Sequence, residues 1–211
     1  IPDKKNNKYG GTYTINKQDY NSFLEKYYNH VILNGNEDNL TEKQNIENGP
    51  LVIDIDMRYD TSIKKRVHTK ENIIDLLNLY LENISKIYNI LDNSLIEVFV
   101  MEKPNINNLN YKTKDGIHII FGINMHKAAQ VYLRNLALSN IKTLWDDLPL
   151  TNSAEELIDE GITRGTVNWQ MYGSKKPDNE AYKLTYNFNI IYNLHNNEWK
   201  FLEKKIDEFD I

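Results

Sequence analysis

The stretch GPLVIDIDMRYD, residues 49–60, constrains the fold more than any other part of the chain. Leu51, Val52, Ile53 and Ile55 read as a buried strand, and Asp54 and Asp56 interrupt it two residues apart. Side chains alternate across a strand, so both carboxylates leave on one face, about 6–7 Å apart at Cα. Two unpaired charges at that distance repel by roughly 3 kcal/mol at an effective dielectric of 20. Either that face is solvated or something cationic belongs between them.

With 211 residues, 40% of them hydrophobic, the chain has material for one sizeable core or two packed subdomains. It contains no cysteine, which excludes a disulfide scaffold and any cysteine-bearing zinc site in this segment. Apolar runs fall far short of a bilayer span and no signal-peptide pattern opens the chain, so a soluble protein of a reducing compartment, without a membrane partner, is expected. The start at Ile1 rather than Met reads as a piece of something longer. A net charge of −5 argues against a general nucleic-acid coat. Two basic clusters stand out locally: Lys64, Lys65, Arg66, His68 and Lys70, and the pair Lys175 and Lys176.

Periodicity predicts a helix over residues 18–30, then a polar loop up to the aspartate-bearing strand. A second helix starts at Thr69, a suitable cap, although Glu71 lies too early to complete a capping box. Ile73, Ile74, Leu77, Leu81, Ile84, Ile87, Tyr88 and Leu91 share its apolar face. LIEVFVME (95–102) and IHIIFGI (117–123) read as strands. A helix over 127–147 turns Val131, Leu133, Leu136, Leu138, Ile141 and Leu144 inward, and a short helix ends near Ile158. YKLTYNFNII puts Tyr182, Leu184, Tyr186, Phe188 and Ile190 on one strand face, and the charged tail from Glu198 reads as a terminal helix or linker. Strands and helices alternate, so the class is mixed α and β.

Three places carry chemistry. The D-x-D pair suits a hard divalent cation, and two such ions held by carboxylates are the arrangement of polymerases and nucleases. His118 follows Gly116 at the mouth of an apolar strand, where a phosphate can approach the backbone and receive a hydrogen bond, more strongly from a protonated ring. Asp159 closes an apolar stretch, and GSKKP further on offers Ser174 and Lys175 to a phosphate, without Walker spacing.

Read in order, VIDID (52–56), GIH (116–118) and ID (158–159) resemble the three motifs of the archaeo-eukaryotic primase superfamily. GPLVIDIDMRYD, KDGIHIIF and NWQMYGSKKP together resemble its viral branch, the primase domains fused ahead of a superfamily-3 helicase in poxviruses, asfarviruses and giant DNA viruses. The resemblance runs from about Tyr27 to Tyr192. It implies an α/β (α+β) primase-polymerase core of two modules, one like an RNA-recognition motif, with the active site between them and residues 1–211 as one catalytic domain of a longer primase-helicase. It also implies that Asp54, Asp56 and Asp159 ligate Mg²⁺ or Mn²⁺, and that His118 contacts the incoming nucleoside triphosphate. Gly116, Ser174, Lys175 and Lys176 would lie near the triphosphate or the single-stranded DNA template. Glycine replaces a frequent serine at Gly116, and Gln170 stands where an arginine is expected, with Arg164 as the substitute. The zinc knuckle of many cellular relatives is absent in its cysteine-bearing form. Primer synthesis for viral replication in the host cytoplasm follows from the same resemblance.

Other readings compete. A haloacid-dehalogenase-type phosphohydrolase needs threonine or valine where this chain has Arg58. A nuclease or a glycosyltransferase also uses paired aspartates, but a glycosyltransferase does not call for the downstream histidine and GSKKP elements. A non-catalytic nucleic-acid-binding module that recruits a helicase would bind its strand without needing Asp54 or Asp56.

Overall fold

The computed structural model describes residues 10–206, and the chain divides into two compact units that meet in sequence between Asp38 and Asn39. In the first, a 3₁₀ turn (Lys17–Asp19) leads into α1 (Tyr20–Tyr27) and a π-helical turn (Tyr28–Leu33). The helix expected over 18–30 is present. Its spacing stacks Tyr20, Phe23 and Tyr27 along one side, with ring centroids 6.3 and 6.1 Å apart.

The second unit is built on one antiparallel sheet. Its strands are β2 (Gly49–Tyr59), β3 (Leu95–Glu102), β4 (Asn107–Asn108), β5 (Thr113–Met125), β7 (Lys183–Asn193) and β8 (Glu198–Lys204). They run β2-β5-β3-β7-β8, with β4 added to the start of β5. A separate two-stranded ribbon pairs β1 (Thr41–Glu42) with β6 (Trp169–Gln170). The residues from Glu198 are thus an edge strand up to Lys204, not a helix or linker, because Trp199 and Phe201 alternate with charges at period two. The tail beyond residue 206 lies outside the described residues.

One sheet face carries the core. Leu51, Ile53, Ile55 and Met57 of β2, with Ile117, Ile119 and Phe121 of β5, pack under α2 (Lys70–Ile87) and α3 (Lys127–Leu144). Thr69 caps α2 as expected, and the capping box is completed by Asn72, whose Oδ1 accepts from Thr69 N at 2.8 Å. Leu76 and Tyr80 share the buried face of α2, whereas Tyr88 and Leu91, expected inside, lie beyond the helix and are exposed. The inward face of α3 is more polar than its leucines predict, since Lys127, Gln130 and Arg134 are buried with Leu133, Ala137 and Ile141.

β7 does not keep one face throughout. A register shift against β3 pairs Val100 with Tyr186 but Met101 with Leu184, leaving Thr185 as an extra residue. Tyr186, Phe188 and Ile190 therefore join the core, while Tyr182 and Leu184 turn to the opposite face with Met101, Val52, Ile162 and Trp169. Among the described residues no helix is long and apolar enough to cross a membrane.

Candidate active site

Alternation along β2 sends Ile53, Ile55 and Met57 into the core and Asp54 and Asp56 to the other face. Register with β5 sets Asp54 beside His118 and Asp56 beside Gly116. The third carboxylate arrives along the free edge of β2. Asp159 N donates to Asp54 O at 3.0 Å, Ile55 and Ile158 form a bridge, Thr151 N donates to Arg58 O at 2.8 Å, and Asn152 Nδ2 donates to Asp56 O at 2.7 Å. Backbone hydrogen bonds thus join two sequence motifs more than a hundred residues apart.

Asp159 is also the N-cap of a one-turn helix, α5 (Glu160–Arg164), and its Oδ1 accepts from Ile162 N at 2.6 Å. The far end of that helix is clamped. Gln44 Nε2 donates to Ile162 O (3.0 Å) and Val167 O (2.8 Å), and buried Lys127 Nζ donates to Gln44 Oε1 (2.5 Å) and Gln130 Oε1 (2.9 Å), with Ile162 O at 3.5 Å. Burial pulls the Lys127 ammonium down to about 8. Arg134 holds the approach to Asp159, donating to Ile158 O and Glu155 O at 2.9 Å each. A second helix turn, α4 (Ala154–Leu157), precedes it with a Ser153–Glu156 capping box.

Asp54, Asp56, Asp159, His118 and Lys176 all line one cleft of about 770 Å³. Asp54 Oδ1 is buried and has no hydrogen-bond partner among the described residues; His118 Nε2 lies 3.5 Å away. Burial, then repulsion from Asp56 and Asp159, pushes the Asp54 carboxyl up to about 8. An orphaned buried oxygen among three carboxylates is a donor set that a hard divalent cation fits. Among the described residues no three acidic or histidine side chains form a ready-made ligand shell, so binding an ion requires these side chains to close on it.

His118 is buried between Tyr182, stacked at 3.6 Å and 14°, and Trp169 at 4.7 Å. Burial, with Lys103 and Lys176 adding repulsion, pulls its ring down to about 3. The ring is therefore a neutral imidazole, without the stronger hydrogen bond that protonation would give, and has one N–H to give and one nitrogen to accept. A side chain at Gly116 would meet the Tyr182 hydroxyl at 2.5 Å. The glycine makes room for this tyrosine.

The structure leaves four expected phosphate contacts outside the cleft lining, the first being Gly116, whose open side is taken by Tyr182. Ser174 is buried and its Oγ accepts from Leu40 N at 3.1 Å, which pins the loop; Arg164 pairs with Glu160 on α5 at 2.6 Å; Lys175 does not line the cleft although Lys176 does. Gln170, where an arginine was expected, anchors this loop. With its amide turned so that both atoms are satisfied, the oxygen accepts from Lys175 N and Lys176 N at 3.2 Å each. Cations that sequence reasoning missed are Lys103, just past β3, and Lys114 on β5. Their signal was positional, since Lys114 lies two and four residues before Gly116 and His118 and so shares their face. Tyr182 and Trp169 were missed as well, one behind a register shift and the other on a two-residue strand.

Of the basic cluster 64–70, two members are committed to buried acids. Arg66 grips Asp115 with two bonds (2.8 and 2.9 Å), reaches Glu102 at 3.2 Å and donates to Lys103 O at 2.6 Å. His68 is buried with Nε2 2.6 Å from Glu102 Oε1.

Residues 3–188 match the family described as the C962R protein N-terminal AEP domain, AEP standing for archaeo-eukaryotic primase. The chain is also 31% identical over 173 residues to a protein of Acanthamoeba polyphaga mimivirus named as a helicase, L207/L206. The aligned region covers 80% of this chain and 18% of that protein, so the chain spans about a fifth of its curated relative. The mixed helices and sheet are those the sequence led one to expect, and the chain belongs to the archaeo-eukaryotic primase family, in its viral primase-helicase branch.

Proposed function

We propose that the chain is a primase-polymerase core that performs template-directed nucleotidyl transfer and makes primers on single-stranded DNA during viral genome replication. The observation that carries this reading is the convergence of Asp54, Asp56 and Asp159 on one cleft, with a buried Asp54 oxygen that accepts no hydrogen bond from the described residues. Mg²⁺ or Mn²⁺ held by these three carboxylates would neutralise charge on the triphosphate and acidify the attacking 3′-hydroxyl. Lys103 and Lys176 add fixed positive charge at the wall where the phosphates lie. His118, neutral and locked by Tyr182 and Trp169, donates its N–H to a phosphate oxygen without adding a positive charge that would repel the ion. Gln170 and Ser174 fix the loop that presents Lys176. In the longer protein, a superfamily-3 helicase follows this domain and the host cytoplasm is the place of action; the helicase name of the mimivirus relative supports that arrangement.

The test is synthesis on a single-stranded DNA template with labelled nucleotides and Mg²⁺ or Mn²⁺, with and without primer. The unaltered protein extends product, and an Asp54→Ala, Asp56→Ala double variant loses at least about a thousandfold, the scale of removing charge stabilisation from a transition state. Product unchanged in the variant sinks the proposal. Shortening of a labelled strand in place of extension makes the cleft a nuclease.

A further inference from the structure

Along the cleft face of the β2–β5 ladder the chemistry changes in a fixed order. Val52 stands beside Ile120, Asp54 beside His118, Asp56 beside Gly116, and Arg58 beside Lys114. The first pair is apolar and the next two are the carboxylate site. The last sets two cations directly opposite each other, a destabilising pairing between antiparallel strands. Arg58 is compensated by Glu156, with Nη1 2.5 Å from Oε1. Lys103 stands in the same cleft, and its ammonium is pulled down by burial, with repulsion from Lys114 and Lys176 adding to it. The cations accumulate at one end of the site.

Past the cleft the ladder continues as a hairpin. β4 sets Asn107 opposite Lys114 and Asn108 opposite Thr113, and Leu109 N donates to Lys112 O at 2.9 Å. At its tip Tyr111 is 74% exposed, with Lys112 Nζ 5.1 Å from the ring centroid. Lys112 also acts on Glu156, the partner of Arg58, so the hairpin and the cation pair share one field. Asp54 and Arg58 are four residues apart, about 13 Å along the strand, so this row extends away from the carboxylates instead of closing over them. A row of cations ending in an exposed ring fits a polyanion that carries bases, because backbone phosphates follow the charges and a base stacks on the ring. A free triphosphate would leave the ring unused.

We propose that the β4–β5 hairpin guides a single strand of nucleic acid: its phosphates cross Lys103, Lys114 and Lys112 on leaving the cleft, and one base stacks on Tyr111. The assignment of the strand as substrate rests on the primase reading of the cleft. The test is fluorescence anisotropy of a labelled oligothymidylate, measured with chelator on Tyr111→Ala, on Lys112→Ala with Lys114→Ala, and on Lys65→Ala as a control outside the row. Thermal melts establish that each variant is folded. Tyr111→Ala should weaken binding roughly tenfold, within the range for loss of one stacked base. The double lysine variant should weaken it at least about tenfold near 0.1 M salt and make the log–log salt slope shallower by about 1.4, two phosphates at ~0.7 each. Binding by both hairpin variants that matches Lys65→Ala overturns the guide, and so does a loss seen for inorganic triphosphate but not for the strand. Running the template-directed synthesis assay on the Asp54→Ala, Asp56→Ala protein alongside the anisotropy series separates the two ideas. Persistent synthesis there defeats the primase reading, whereas unaltered anisotropy in the hairpin variants defeats only the guide.

Discussion

The same sheet buries carboxylates in two places and treats them in opposite ways. At Asp115 and Glu102 every charge has an answer: Arg66 holds Asp115 with two bonds, and Arg66 and His68 both reach Glu102. Despite its burial, Glu102 stays below the ordinary carboxylate range because of those partners. At Asp54 the neighbours are Asp56 and Asp159, the lysines stand off, and the carboxyl is driven up to about 8. The contrast along the sheet is between acids answered by cations and a buried carboxyl faced by other acids, the setting in which functional carboxylates tend to be found.

Removing Arg66 should have the largest effect on folding. Arg66→Ala takes both guanidinium bonds from buried Asp115, leaves Glu102 to His68 alone, and should cost about 3 kcal/mol, the lower end for breaking a buried pair because the arginine is partly exposed. Chemical denaturation reads this directly, and a loss below about 1 kcal/mol would erase the distinction between the two regions. Asp54→Asn should go the other way. In chelator near pH 8 it relieves repulsion that the wild type carries, so its melting temperature should exceed the wild type's, while added Mn²⁺ raises only the wild type.

Acidity separates the regions further. A raised folded pKa means that Asp54 favours the fold when protonated, so its contribution in metal-free protein is full below the unfolded value of about 3.8 and is lost as pH rises toward about 8. Glu102, with a lowered folded pKa, contributes above its unfolded value and fails as pH falls through the folded one. Melting in chelator should therefore decline from about pH 5 to pH 8 in the wild type and flatten in Asp54→Asn, with both proteins collapsing together in acid. The smallest effect on stability is expected at Lys127. Lys127→Met replaces a buried charge, bonded only to neutral oxygens among the described residues, with an apolar side chain of similar length, so stability should move by less than about 1 kcal/mol. Synthesis should still drop about tenfold as α5 and Asp159 lose their clamp, and equal loss of both quantities would make Lys127 merely structural.

Much of this was legible from residue order because alternation and capping act locally. The D-x-D face, the bounds of β3, the Thr69 cap and the entry of His118 into the site all follow from spacing within one element. What period two could not reveal is the extra residue at Thr185, which turns Tyr182 toward the carboxylates. Nor could local pattern distinguish Lys176, which faces the cleft, from Ser174, which is pinned under Leu40 by a hydrogen bond from a residue 134 positions away. Lys103 and Arg66 differ in the same way. Both sit in basic, polar segments, and only the long-range partner Asp115 commits Arg66 to a buried acid.

β2 is an outermost strand, and an exposed outermost strand is a template on which a second chain can add itself. Thr151, Asn152, Ile158 and Asp159 occupy that row of backbone groups. The segment that delivers the third carboxylate is therefore also the fold's guard against self-association. A truncation or loosening of residues 151–159 should reveal itself as polymerisation of the protein along β2 as well as loss of an acid group.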